Sequence, residues 1–233
     1  MNKRPANKQD FFKTLSIICM FIDHFGLYLA PNHLYMRAIG RFAFPIFAFY
    51  AGYNFKNRVN LQVLIYGSLL YLYNTFFIFH KLLPANILIS IFAGQLYLFL
   101  LNSTLKSYFA LVIHYFILIV GWNYTRLYFE YGSLTILFMI IGNLYKTKYL
   151  GAQNGAWQIS LTTLFFSYVV FGGYFSVVDY LILALVSISL FYIIKQNQHS
   201  QKIKYYFITK ISRNSLIIYV IHLAIIQFVW RYC

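Results

Sequence analysis

Lys13 and His24 lie in one apolar stretch, FFKTLSIICMFIDHFGLYLA (11–30), with ten residues between them. In a helix the eleven steps from one to the other return to within about 20° of the same face and climb about 16 Å. A base near one end and an imidazole near mid-depth then share a stripe. Imidazole is the usual group for taking a proton from an attacking amine or hydroxyl near neutral pH. The spacing suits a long ligand with an anionic head, phosphates held at the mouth and the reactive end delivered to His24; a coenzyme A thioester has that shape. Lys13 can equally be a helix-end lysine that snorkels to the interface, and His24 a buried imidazole bonded to a neighbouring helix. Against the structural reading of His24 stand the carboxylate before it and a depth at which polarity is expensive.

That carboxylate, Asp23, points about 100° away from His24 around the helix, so it is expected to face another partner. Arg37 and Arg41 follow, four residues apart and therefore on one helical face. Either can pair with Asp23, since a buried arginine needs an acid or carbonyls. Arg41 can instead steady the charge of a tetrahedral oxyanion. His24, Asp23 and Arg41 make the candidate catalytic set. In the run GRFAFPIFAFYAGYNFKNR (40–58), Pro45 removes a backbone donor and frees a carbonyl near Arg41, so a kink is expected there. Gly40 and Gly52 allow close helix approach. Lys56 and Arg58 form a polar end that can join Lys13 in holding phosphates or simply follow topology.

These residues need a scaffold, and composition says which. The 233 residues are 61% hydrophobic and only 10% charged, more apolar surface than a soluble core of this size can hide. The expected fold is all-α: a polytopic bundle of about nine transmembrane helices, forming a single integral membrane domain over 1–233 with a short cytoplasmic tail, 1–10. The spans are read at 11–30, 36–54, 61–80, 85–102, 107–122, 128–145, 157–172, 177–194 and 214–230. With a cytoplasmic N-terminus, 14 of the 19 Lys and Arg residues fall on the cytoplasmic side. The net charge of +15 is thus loop charge, for membrane lipids rather than nucleic acid. The first span, with no small-residue cleavage site after it, reads as an uncleaved anchor.

Other candidates are sparser. Glu130 and Asp179 start the sixth and eighth spans at the outer end, at a depth near Asp23, Arg37 and Arg41. His222 and His114 sit mid-span; His114 is read as structural. Two cysteines, Cys19 and Cys233, suggest neither a disulfide framework nor a metal site, and none of the common metal or phosphate motifs occurs.

FIDHFG (21–26), GRFAFPIFAFYAGY (40–53) and FEYGSLTILFMI (129–140) together resemble the TraX family of pilin acetylation proteins. That family is similar to the wider group of transmembrane acyltransferases, in which a basic residue and a histidine ten residues apart open the chain; residues 214–226 resemble their last helix through Tyr219 and His222. The resemblance implies acetyl transfer from cytoplasmic acetyl-CoA to a periplasm-facing acceptor, the N-terminal amine of a pilin subunit, in the bacterial inner membrane. It implies His24 as the essential residue. Lys13, Lys56 and Arg58 are read on the acetyl-CoA side and Glu130, Arg37 and His222 toward the acceptor, and no metal is expected. Two alternatives stay open: an O-acetyltransferase acting on a surface glycan, and a non-enzymatic pilin-assembly chaperone whose polar centre is helix glue.

Overall fold

The computed structural model describes residues 7–80, 84–101, 107–147, 162 and 206–232. Among them every regular element is helical, apart from one isolated bridge between Ala85 and Phe129. The chain divides into two compact units, one of Met1–Phe47 with Phe171–Cys233, the other of Ala48–Val170. The expected spans at 177–194 and, but for Thr162, at 157–172 lie outside the described residues, as does Asp179.

The first unit opens with α1, Lys8–Tyr28. Asn7 caps it reciprocally with Asp10: the Asn7 side chain accepts from the Asp10 N–H at 2.9 Å, and the Asp10 carboxylate accepts from the Asn7 N–H at 3.0 Å. The helix stops before Pro31, whose ring disfavours helical geometry at the residue ahead of it. A short loop leads to α2, Leu34–Gly40, and then α3, Ala43–Tyr53, which passes into the second unit at Ala48. The sequence reading placed one span over 36–54; the structure corrects this to two helices parted at Arg41-Phe42. Pro45 explains the break. A helix continued through it would drive its ring against the Arg41 carbonyl, whereas in the first turn of a new helix its missing N–H costs nothing.

The same unit closes with two helices numbered here α9, Tyr206–Arg213, and α10, Ser215–Tyr232. Ser212 Oγ donates to Asp10 Oδ1 at 2.8 Å and Thr14 Oγ1 to the Ile208 carbonyl at 3.3 Å, so α9 runs antiparallel to the start of α1. The chain reverses at Asn214. Side chains of α1 then meet α10 in rising order, Phe21 with His222, His24 with Tyr219 and His222, Tyr28 with Gln227 and Trp230. The two helices are therefore parallel.

In the second unit α4, Leu61–Tyr73, continues as a π-helical turn, Asn74–Phe79. Then come α5, Ile87–Leu101, α6, Tyr108–Val120, the single turn α7, Trp122–Thr125, and α8, Leu134–Lys146. Nearly every residue of α8 is buried, the pattern of a helix surrounded by others. The sixth span, read at 128–145, begins later than expected because Tyr131 and Gly132 adopt left-handed backbone, φ 61° and 51°, which no helix tolerates.

Three described helices are long and apolar enough to cross a membrane: Gln9–Tyr28, Leu61–Phe79 and Ser215–Tyr232. Three shorter apolar helices, Ile87–Leu101, Tyr108–Val120 and Leu134–Lys146, fall below the roughly 20 residues of a full span. The chain is a helical membrane protein.

Candidate active site

α1 carries Lys13, Asp23 and His24 on one uninterrupted helix. His24 Nδ1 lies 2.7 Å from Nε2 of His222 on α10, with the ring planes 21° apart and their centroids 5.0 Å apart, the nearly coplanar arrangement of a ring-to-ring hydrogen bond. His222 Nδ1 in turn lies 2.9 Å from the Ile218 carbonyl, one turn back on its own helix. These contacts fix the protons. A carbonyl oxygen can only accept, so His222 Nδ1 carries the hydrogen. In a neutral His222, Nε2 then holds a lone pair, and His24 Nδ1 must donate to it. A neutral His24 is left with its lone pair on Nε2, the arrangement of an oriented general base. His222 is 4% exposed and His24 half-buried. Tyr219 and Tyr28 flank His24, their ring centroids 6.1 and 6.5 Å away.

Asp23 turns to a different neighbour. Its Oδ1 is 2.8 Å from Arg37 Nη1 on α2, and the same guanidinium nitrogen donates to the Asp23 carbonyl at 3.4 Å. Arg41, which caps α2, also acts on this charge. The helices can meet here because Gly40 has no side chain; a Cβ would collide with the Cα and Cβ of Asp23. Asp23, Arg37 and Arg41 thus form a charge cluster on one flank of α1, and His24 and His222 an imidazole pair on another.

Other candidates fall in the second unit. Lys56 and Arg58 are exposed between α3 and α4. Glu130 sits in the turn before α8, and its Oε2 accepts from the Ile87 N–H at 3.0 Å. Its carbonyl accepts from Ser90 Oγ, and its N–H donates to the Ala85 carbonyl. With Asn86, whose Oδ1 accepts from the Leu88 and Ile89 N–H groups, Glu130 caps α5. His114 Nδ1 is 2.6 Å from the Tyr97 hydroxyl. No three potential metal ligands converge among the described residues.

The sequence reading passed over two partners in the first unit. Ser212 holds Asp10, and Gln227 Nε2 donates to the Tyr28 hydroxyl at 2.9 Å. Gln227 carried the signal that singled out His24, a polar side chain in an apolar span. Tyr28 was one of 23 tyrosines and carried none.

The first and last described helices, parallel and joined by an imidazole pair with an ion pair beside it, define a helical membrane protein with a polar centre. The model of the TraX protein family matches residues 8–230, and the chain belongs to that family. It is 37% identical to the uncharacterized protein RP591 of Rickettsia prowazekii (strain Madrid E) over 240 residues, covering 99% of this chain and 95% of that one. No solved structure matches.

Proposed function

We propose that this protein is a membrane-embedded acetyltransferase that moves an acetyl group from acetyl-CoA to the N-terminal amine of a pilin subunit. The observation that carries the reading is the run of hydrogen bonds from the Ile218 carbonyl through His222 to His24, which leaves His24 Nε2 as a base. Family membership supports the acceptor. The amine nitrogen attacks the thioester carbonyl carbon and a C–N bond forms. His24 Nε2 takes one amine proton. As the C–S bond breaks, that proton passes to the departing sulfur, giving the free thiol and the amide. His222 steadies the imidazolium through its Nε2. Asp23, Arg37 and Arg41 hold α1 against α2 and so fix the depth of His24. Lys13, eleven residues before His24 on the same helix, is assigned to the phosphates of acetyl-CoA.

We assign the whole chain to the cytoplasmic membrane as one domain of nine crossings, N-terminus inside. The parallel course of α1 and α10 supports an odd number, because two parallel crossing helices start at the same face. Donor then enters from the Lys13 end and acceptor from the Tyr28 end.

The test is direct. Purified protein in lipid nanodiscs is incubated with isotope-labelled acetyl-CoA and pilin, and the pilin N-terminus is read by mass spectrometry. His24→Ala is expected to lower transfer by about 100-fold or more while the melting curve is kept. Full activity in a folded His24→Ala protein would refute the assignment.

A further inference from the structure

Gln227 is 1% exposed, and among the described residues its Oε1 has no hydrogen-bond partner. Its Nε2 donates to the Tyr28 hydroxyl at 2.9 Å, an orientation that turns Oε1 away from Tyr28. A buried amide oxygen with no protein donor is costly enough to call for one from a ligand. Its position says which side of the reaction it serves. Tyr28 is one turn beyond His24 on α1, about 6 Å further along, and Gln227 is five residues beyond His222 on α10, about 7.5 Å. Because the helices are parallel, both lie on the same side of the imidazole pair, opposite the Lys13 end.

We propose that Gln227 Oε1, held in place by Tyr28, is the group that receives the incoming nucleophile and selects an amine over a hydroxyl. The proposal rests on His24 acting as the base, and it follows from counting hydrogens. A primary amine carries two N–H bonds when it attacks; the base removes one and the other must still be satisfied in a dry site. An amide oxygen is an acceptor and can take that second N–H. A hydroxyl has a single hydrogen, which the base consumes, and leaves Gln227 Oε1 unpaired. Such a site rejects the analogue that cannot fill its hydrogen bond. Gln227 is therefore a specificity-determining residue, and Tyr28 a positioning residue.

The experiment measures binding without acetyl-CoA, so it does not depend on turnover. Full-length protein in nanodiscs is titrated calorimetrically with a short synthetic peptide amide bearing a free N-terminal amine, and with its counterpart carrying a hydroxyl in place of that amine. Wild type is expected to bind the amine probe more tightly. Gln227→Met, close in volume but without an acceptor, is expected to weaken the amine probe about tenfold and leave the hydroxyl probe unchanged. Gln227→Glu, which restores an oxygen acceptor, recovers the preference, and Tyr28→Phe lowers it. Equal preference in wild type and Gln227→Met, or no preference in wild type, overturns the proposal. A preference that survives in a wild-type protein forming no acetylated product would instead sink the transferase reading and leave this site standing.

Discussion

His24 Nδ1 and His222 Nε2 stand 2.7 Å apart across 198 residues of sequence, closing the first described helix onto the last. The contact is directional: His222 is anchored through Nδ1 to the Ile218 carbonyl, so its only free ring lone pair faces His24. A lone buried histidine samples two tautomers; this one is held in the tautomer that exposes Nε2.

That gives a first prediction. His222→Leu removes the acceptor and frees His24 to protonate either nitrogen. Nitrogen-15 NMR of labelled histidine is expected to show His24 protonated at Nδ1 in wild type and mixed in the variant. kcat should fall about 10- to 100-fold with KM for acetyl-CoA unchanged. His222→Gln places an amide oxygen near the lost Nε2 and should recover much of the rate. An unchanged tautomer in His222→Leu contradicts the relay.

The sequence made His24 conspicuous because an ionisable ring in an apolar helix is rare and costly. It did not say which helix would face that ring. Lateral neighbours in a bundle depend on packing between segments far apart in the chain, and hydropathy reports only depth. The same limit explains Asp23, for which Arg37 and Arg41 were both open; in the structure Arg37 lies 2.8 Å away. Pro45 was visible, but where its effect would fall was not. A proline disrupts the turn before it, so the helix parted at Arg41-Phe42 and the expected span of 36–54 became two. Glu130 read as a helix start because FEYGSLTILFMI turns apolar at once, whereas Tyr131 and Gly132 place it in a turn, facing the end of α5.

The Asp23–Arg37 pair gives a second prediction. The side chains are 11% and 22% exposed, so each charge depends on the other for much of its solvation. Asp23→Ala is expected to destabilise the protein by about 3 kcal/mol, since it leaves the arginines without their acid, and Arg37→Ala by less, because Arg41 still acts on Asp23. The double variant should lose clearly less than the sum, with a coupling of about 1–2 kcal/mol. Denaturant unfolding in mixed micelles measures all three. Strict additivity would show that the pair does not interact.

Glu130 supports a third. Its carboxylate caps α5 through the Ile87 N–H, a contact of the sort that anions make at helix N-termini. Glu130→Ala is expected to cost about 1 kcal/mol of stability and to leave KM for the pilin acceptor within about twofold of wild type. If Glu130 instead guides the acceptor amine, as expected from the sequence, KM rises steeply at unchanged stability. Melting curves and acceptor titrations on the same preparation separate the two roles.

The closest approach of α3 and α8 gives the last prediction. A Cβ at Gly142 would overlap the Phe49 carbonyl, and one at Gly52 would overlap the Met139 carbonyl. Both obstacles are backbone, so neither can rotate aside as a side chain would. Gly142→Ala and Gly52→Ala must each push the helices apart and lose the packing around Phe49 and Tyr145, whose rings lie 6.2 Å apart. Each is expected to destabilise by about 1–3 kcal/mol. Once the helices have separated for one methyl, the second fits into the space already opened, so the double variant should be clearly less destabilised than the sum. Gly67 is the control. A Cβ there meets Ile89 Cγ1 and Leu88 Cβ at 3.0 Å and the Ile89 backbone nitrogen at 3.1 Å, so its neighbours need to give by only a few tenths of an ångström. Gly67→Ala should therefore cost less than either of the others. Equal losses at all three glycines would mean that α3 and α8 are not held backbone to backbone.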